Sequence, residues 1–282
     1  MPTQINTYGD IASLANTIYE DAMFVARENN LMAALVQVFN DRSNDELRKN
    51  QKYTSATINE IAETDDLASQ AFTPSVDQTL TPAEYGAQFF ITDKRREADR
   101  LNVTQDASLE LGKAFGQKVD TLLVSKFNAL TGGTVGAAGS NLTWANVFAG
   151  IAKMRAAFAP QPWTIVLHSY QYYALGTAVL PGVTVTNSPA LQDAVYRQFY
   201  QNSVSGVDIV LDDNITSGTS CFGAIFSRGL SLALDWRRGM RIEPERDASK
   251  RGFELNLSGR FAYGIWRPQY GIAINTAGTA PA

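Results

Sequence analysis

The stretch FELNLSGRFAYGIW, residues 253–266, alternates between two kinds of side chain. Its odd positions, from Phe253 to Ile265, are apolar, aromatic or glycine, whereas most even positions are polar or small. Since successive side chains of a strand point to opposite faces of a sheet, this period of two predicts a long strand with one buried face. Further strands are predicted at 222–226, 230–236 and 270–274, so the C-terminal part of the chain is expected to be β-rich.

The composition excludes several functional classes. The chain has 282 residues, of which 45% are hydrophobic, which is typical of one large or two small folded domains. A single cysteine, Cys221, excludes an internal disulfide, and a single histidine, His168, excludes a multi-histidine metal site. No apolar run is long enough for a transmembrane helix, and the first ten residues lack the features of a signal peptide. We therefore expect a soluble protein, made in the cytosol, with few catalytic groups and no cofactor.

Charge is distributed unevenly along the chain, although the net charge is only −4. Residues 1–92 carry five cations and 13 acids, whereas residues 221–282 carry nine cations and five acids. Two ends of opposite net charge can form ion pairs within one chain or between two copies of it. Alternatively, the charges lie on solvated faces and have no specific role.

The residues from 104 to 130 predict the longest helix. Thr104 is a candidate N-cap, and Gly132 and Gly133 are typical of a helix C-terminus. At 1.5 Å per residue the helix would be about 39 Å long. Its apolar stripe consists of Ala107, Leu111, Ala114, Phe115, Val119, Leu122, Leu123, Phe127 and Leu130.

Shorter elements are predicted on both sides of this helix. We expect helices over 10–40 with a break at Asn30, from Asn141 or Thr143 to about Ala159, over 169–175 and over 189–201. Strands are expected at 163–168, 181–187 and 207–211.

Residues 53–92 predict a long two-stranded excursion from the folded body. The segment contains no lysine or arginine, is rich in Thr, Ser and Ala, and shows only short pieces of alternation. About 40 residues without a core face are unusual in a compact domain, and an isolated hairpin is marginally stable in water. The flanking segments 41–52 and 93–101 are highly charged and are expected to be exposed.

No residue pattern indicates a catalytic or metal site. His168 follows a buried strand and has no candidate nucleophile in a suitable motif, so a structural role is favoured. Cys221 lacks a basic neighbour and is interpreted as an inert buried thiol. Asp208, Asp212 and Asp213 do not have the spacing of a calcium loop.

A run of cations near the C-terminus could face nucleic acid, but interleaved acids favour intersubunit salt bridges or a solvated sheet edge. It comprises Arg228, Arg237, Arg238, Arg241, Arg246, Lys250, Arg251, Arg260 and Arg267.

The order of these parts, over about residues 10–275, resembles the tailed-phage major capsid proteins of the Hong Kong 97 type. The resemblance implies an α+β capsid fold divided into an N-terminal arm (1–52), an extended loop (53–92), a peripheral domain (93–159) with a spine helix (104–130), an axial domain (160–220) and the closing β strands of the peripheral domain (221–282).

The resemblance also implies a function and partners. The chain would self-assemble, as pentamers and hexamers, into the icosahedral shell that encloses the genome of a tailed double-stranded DNA phage. It would be made in the bacterial cytoplasm and reside in the virion. Its partners would be a separate scaffolding protein, a portal, decoration proteins and packaged DNA that is contacted non-specifically, with no membrane and no cofactor. Lys52 lies only at the base of the loop, so covalent crosslinking is not expected.

The acidic loop and the basic C-terminal strands are predicted to meet between copies. The candidate contact residues are Glu60, Glu63, Asp65, Asp66, Arg237, Arg238, Arg241 and Arg246. Three alternatives stay open at this point: an encapsulin-type compartment shell, which shares the fold, an enzyme that uses His168, and a decoration or tail protein, which would form no closed particles. Loss of an activity on replacement of His168 would favour the enzyme.

Overall fold

The computed structural model describes residues 31–40, 46–61, 63, 66, 69–98, 103–179 and 203–281. The helices of these regions are α1 (Asp93–Ala98), α2 (Val103–Val124), α3 (Trp144–Ala156) and α4 (Ser169–Val179), with short 3-10 turns at Met32–Ala34, Phe127–Ala129 and Pro268–Tyr270. The strands are β1 (Gln37–Phe39), β2 (Arg48–Tyr53), β3 (Pro74–Leu80), β4 (Ala83–Thr92), β5 (Thr134–Val135), β6 (Trp163–Leu167), β7 (Ser203–Val204), β8 (Val207–Leu211), β9 (Gly218–Ser227), β10 (Leu232–Asp247), β11 (Gly252–Ile265) and β12 (Gly271–Gly278).

Strands β10 and β11 form the centre of a sheet whose order is β1-β10-β11-β4 within the described residues. Neighbouring strands are antiparallel except for β1, which runs parallel to β10. Helix α2 packs on one face, where Leu111 and Phe115 join Leu255, Leu257 and Phe261 in one core. A side chain at Gly259 would lie 2.6 Å from the ring of Phe115, so this position requires glycine for the helix to approach the strand.

A second sheet has the order β5-β12-β9-β6-β8-β7 in the described part of the chain. Every residue of β6 is buried, because both faces of this strand are covered. Its core includes Met154 of α3 and Leu175 of α4. The side chain of Thr143 accepts a hydrogen bond from the backbone N–H of Asn146 and caps α3, as predicted.

The hairpin of β2 and β3 lies on the face of the first sheet opposite to α2. Leu80 of β3 is 2% exposed and contacts Ala233 and Ala262. Ala262 follows Phe261, and the alternation of β11 therefore turns Phe261 towards α2 and Ala262 towards the hairpin. The long alternating strand predicted at 253–266 is thus confirmed, and both of its faces are covered near its C-terminal end.

Several predicted elements are corrected. Helix α2 ends at Val124 rather than near residue 130, because a separate 3-10 turn follows, and it already begins at Val103, which places Thr104 inside it. Residues 31–40 were expected to be helical but contain strand β1, because Gln37–Phe39 pair with β10. The charged segment 41–52 contains strand β2, with Asn50 buried.

The excursion also has different bounds. Its two paired strands are β2 and β3, whereas residues 83–92 form β4 and pair with β11 along the whole strand. Most of the predicted helix 10–40, and all of the predicted strand 181–187 and helix 189–201, lie outside the described residues.

Candidate subunit interface

Strands β2 and β3, together with the residues that connect them, form a projecting hairpin (residues 48–80). We call this hairpin the arm; it is not the N-terminal arm (1–52) expected from the sequence. Residues 51–61 of the arm and 69–76 are exposed throughout. Large apolar side chains are strongly exposed here: Ile58 is 96% exposed and Phe72 is 73% exposed. Single exposed apolar residues are normal, but several on one projection are typical of a surface that another molecule covers.

The base of the arm is held to the sheet by a buried charge cluster. Asp235 of β10 is fully buried and lies 3.1 Å from the Arg48 guanidinium and 2.9 Å from that of Arg237. The Arg48 guanidinium also lies 4.2 Å from the centre of the Phe39 ring. The side-chain amide of Asn50 donates a hydrogen bond to the carbonyl of Trp266. The arm is therefore fixed at its base by one carboxylate shared between two arginines.

The middle of the arm is closed by contacts between its two sides. The rings of Tyr53 and Phe72 stack with centres 4.7 Å apart. The backbone N–H of Thr57 donates to the side-chain oxygen of Gln70 at 2.8 Å, and the Gln70 amide donates back to the Thr57 carbonyl. The arm is consequently ordered as far as Thr57 by its own residues, before any partner is present.

The predicted acidic contacts lie on the distal part of this arm. Glu60, Glu63 and Asp66 are exposed, and Asp65 lies outside the described residues. The predicted basic contacts are mostly paired within their own chain. Arg237 is buried beside Asp235, Arg238 binds Glu84, Arg241 binds Glu243 at 2.6 Å, and Arg246 binds Asp93 through two hydrogen bonds of 2.6 and 2.8 Å.

Three other cations are not among the candidate contact residues named from the sequence. Lys94 and Arg95 of α1, and Arg251 in the turn between β10 and β11, are exposed and make no ion pair within the described residues. The signal for Lys94 and Arg95 in the sequence was the charged run DKRREADR, which we interpreted only as exposed. Arg251 belongs to the C-terminal run of cations, for which intersubunit salt bridges or a solvated sheet edge were expected. We call these three residues the cationic corner.

The corner is built by hydrogen bonds at the end of the sheet. Thr92 accepts a hydrogen bond from the backbone N–H of Arg95 and begins α1. The N–H of Asp93 donates to the carbonyl of Arg251 at 2.9 Å, which brings helix and turn together. Asp247 accepts three hydrogen bonds from Ser249 and Lys250, which lower the pKa of its carboxyl to about 2.

A separate acidic contact holds the segment that precedes β1. Asp120 of α2 is fully buried and accepts hydrogen bonds from the backbone N–H groups of Leu31 and Met32, each at 3.2 Å. Burial, together with the nearby carboxylate of Asp212, raises the pKa of Asp120 to about 7. The pKa of Asp212 is raised as well, mainly by its own burial.

The residues considered for catalysis have structural surroundings. His168 is buried, and its Nδ1 accepts a hydrogen bond from the N–H of Tyr170 at 3.0 Å, next to the start of α4. Cys221 is fully buried, and burial raises the pKa of its thiol to about 11. Among the described residues, no three His, Cys, Asp or Glu side chains converge as a metal site. In the same part of the chain, no helix is both long and apolar enough to cross a membrane.

Several solved structures, from phages and from a GTA particle, resemble this chain. A structure from Mycobacterium phage Che8 has a TM-score of 0.74 and 15% identity, over 89% of this chain and 92% of that chain. The capsid of a native GTA particle has a TM-score of 0.68 and 13% identity, over 88% of this chain and 90% of that chain. The mature capsid of bacteriophage PhiM1 has a TM-score of 0.66 and 12% identity, over 89% of this chain and 88% of that chain. These identities are low, so the likeness shows a shared fold.

The family of the chain is identified by its sequence. No curated protein matches the chain. The sequence profile of a family described as phage capsid protein, however, matches residues 75–274, which is more than half of the chain. This region includes the long helix and every strand of the two larger sheets except β1 and the end of β12, and the match agrees with the α+β capsid fold. The chain therefore belongs to the phage capsid protein family, and it is a major capsid protein that forms the head shell.

Proposed function

We propose that copies of this chain close, as pentamers and hexamers, into the icosahedral shell of a tailed double-stranded DNA phage, and that the arm provides a principal contact between them. The observation that carries this proposal is the arm itself: it is anchored by a buried charge cluster, closed by its own hydrogen bonds, and exposed with Ile58 and Phe72 uncovered. A rigid projection loses little conformational entropy on binding, which favours assembly.

The domain division is also a proposal. We assign α2 and the sheet of β1, β10, β11 and β4 to the peripheral domain, because they contribute most of one core, to which β6 and β9 of the second sheet add Val166, Ala224 and Phe226. We assign α3, α4 and the second sheet to the axial domain for the same reason. This moves α3, β5, β9 and β12 across the boundaries expected from the sequence, and limits the extended loop to residues 48–80.

The remaining partners follow from the capsid role. A separate scaffolding protein, a portal and decoration proteins are expected, together with DNA that is contacted without sequence preference. The net charge of −4 suits a wall that does not bind the packaged phosphates tightly. Synthesis takes place in the bacterial cytoplasm.

An enzymatic role is not part of the proposal. The His168 Nδ1 already accepts a hydrogen bond from its own chain, and the raised pKa of Cys221 disfavours a reactive thiolate. An encapsulin-type shell would share the fold, and the cargo of purified particles, DNA or an enzyme, separates the two.

The test is to shorten the arm. Residues 55–72 are replaced by Asn-Gly, which joins Thr54 to Thr73 where their backbones are already hydrogen-bonded at 3.3 Å. The subunit is expected to unfold at the same temperature as the wild type but to form no shells in electron micrographs. A control with Ser55→Ala and Ala56→Ser keeps the length and composition of the arm and should assemble normally. Closed shells from the shortened chain would contradict the proposal.

A further inference from the structure

The arm leaves the body of the subunit through one cross-strand pair of residues. Arg48, the first residue of β2, lies opposite Leu80, the last residue of β3. The Arg48 guanidinium lies 3.1 Å from the carboxylate of Asp235. Leu80 packs over Gly264, where an added Cβ atom would lie only 2.8 Å from the Leu80 side chain. Each strand of the hairpin therefore has its own point of attachment to the sheet, one ionic and one apolar.

A third contact fixes the tilt of the hairpin. The side-chain amide of Asn50, two residues beyond Arg48, donates a hydrogen bond to the carbonyl of Trp266. Farther out, residues 51–61 and 69–76 are exposed. The attachment of the arm to the body is therefore confined to the first and last few residues of the hairpin.

Small errors in this attachment become large at the far end of the arm. From Arg48 to Thr57 the arm extends about 30 Å at 3.3 Å per residue. A tilt of about 10° at the base would move Thr57 by about 5 Å, which is roughly the spacing between neighbouring strands of a sheet. Well-packed interfaces need closer agreement than this, so the direction of the arm has to be defined within the subunit.

The ionic attachment defines a direction more strictly than apolar packing does. The Oδ2 atom of Asp235 lies 3.1 Å from the Arg48 guanidinium and 2.9 Å from that of Arg237. Phe39 pairs with Asp235 in the register of β1 and β10, and the Arg48 guanidinium lies over the Phe39 ring. A buried guanidinium that shifts away from this position loses its carboxylate, whereas an apolar side chain can slide over apolar neighbours at little cost.

Stability alone does not explain this cluster. The side chains of Asp235, Arg237 and Arg48 are only 0%, 8% and 15% exposed, so all three charges are largely removed from water. The attraction between such charges only partly offsets their lost hydration, and well-packed apolar side chains of similar volume often stabilise a fold equally well. The ion pairs do, however, require one specific geometry of the groups that form them.

We infer that Asp235, Arg48 and Arg237 act as positioning residues, which set the direction in which the arm leaves the subunit and thereby the curvature of the shell. The effect on curvature rests on the proposed shell function, whereas the effect on the arm is a property of the single subunit. Removing one partner, as in Asp235→Ala, leaves buried charge and destabilises the fold. Replacing all three residues separates direction from stability.

The first test is an apolar cluster that carries Arg48→Met, Asp235→Leu and Arg237→Met. It should unfold at a urea concentration no lower than that of the wild type. In electron micrographs it should lose the single shell diameter of the wild type and give shells of several diameters and open sheets. A matched control carries Lys113→Met, Lys118→Met and Asp106→Leu at exposed positions of α2. It changes the net charge by the same amount and should keep the wild-type diameter.

The second test measures the direction of the arm in unassembled subunits. Spin labels are attached to Ser55→Cys on the arm and Glu110→Cys on α2, both at exposed positions, while the native Cys221 is fully buried and takes up no label. The distance between the labels should have one narrow distribution in the otherwise wild-type chain and in the control. The distribution should be broad in the apolar cluster variant.

Arg48→Met provides a second variant in case the apolar cluster fails to fold. It leaves Asp235 paired with Arg237 as a neutral buried pair, so the subunit should fold while the arm loses its ionic attachment. A narrow distance distribution in Arg48→Met, centred at the wild-type distance, overturns the inference. Shells of one wild-type diameter from the apolar cluster variant overturn it as well. If the wild-type chain forms no shells, the proposed function fails, and the distance measurement still decides whether the cluster directs the arm.

Discussion

Phe158 shows at the scale of one residue how a local conformation is kept against its usual preference. Helix α3 ends in a Schellman arrangement: the N–H of Ala159 donates to the carbonyl of Met154, and the N–H of Phe158 donates to that of Arg155. Phe158 has a φ of 52° in the position that glycine usually occupies. Its side chain is 89% exposed, so no packing in the described subunit offsets the unfavourable conformation.

Replacing Phe158 with Gly should therefore stabilise the isolated subunit by about 1 kcal/mol, because the left-handed conformation costs a residue with a Cβ atom roughly 1–2 kcal/mol. Urea unfolding of the unassembled chain measures this. Phe148→Gly, in the interior of the same helix, should instead lower the free energy of unfolding. A loss of stability in Phe158→Gly would show that the exposed ring has contacts that matter in the free subunit.

At the scale of the element, strand β10 carries two sets of ion pairs that should contribute very different amounts to stability: the buried pairs of Asp235 and the exposed pair of Arg238 with Glu84. Asp235→Ala leaves Arg48 and Arg237 without their shared carboxylate and should cost about 3–5 kcal/mol, as for other broken buried pairs. Glu84→Ala removes the exposed partner of Arg238 and should cost at most about 1 kcal/mol. Urea unfolding of both variants gives the comparison. Equal losses of unfolding free energy in the two variants would mean that burial does not determine how much these ion pairs contribute to stability.

The elements that the sequence predicted best are those with a strong local signal. The strands β11 and β6 were visible because one kind of side chain repeats at one spacing in each, and the start of α3 was visible because Asn141 and Thr143 are both residue types that cap helices. Strand β1 was missed because its apolar residues also fit a helix, and only the pairing of Gln37–Phe39 with β10 decides between them. The cluster around Asp235 was hidden because Arg48 is far away in the chain.

At the scale of the whole molecule, Asp120 joins the residues before β1 to helix α2, and the carboxylate of Asp212 in the loop after β8 lies close enough to repel it. The charged groups of the facing loop and its neighbours are Asp212, Asp213 and His168, and the segment at Leu31 and Met32 contributes backbone N–H groups only. Two buried carboxyl groups that interact in this way titrate as a pair.

This arrangement predicts how subunit stability depends on pH. The pKa of Asp120 is about 7 in the folded chain and 3.8 in the unfolded one, so the folded state holds a proton that the unfolded state has lost. The stabilisation is complete below about pH 4 and disappears as the pH rises to about 7. Thermal unfolding between pH 5 and 8 should show this decline for the wild type and a smaller one for Asp120→Asn. An unchanged decline in the variant would assign the proton to another group.

Strand β4 has a further consequence for growth of the shell. Its ten residues begin beside the arm base and end at the cationic corner, so they separate these two surfaces by about 33 Å at 3.3 Å per residue. A contact made through the arm would be heterologous, because the arm differs from the surface that receives it, and addition would then be directional. A subunit that lacks its arm would still receive a neighbour's arm without passing the contact on. Mixed in small amounts with intact subunits, it would act as a chain terminator.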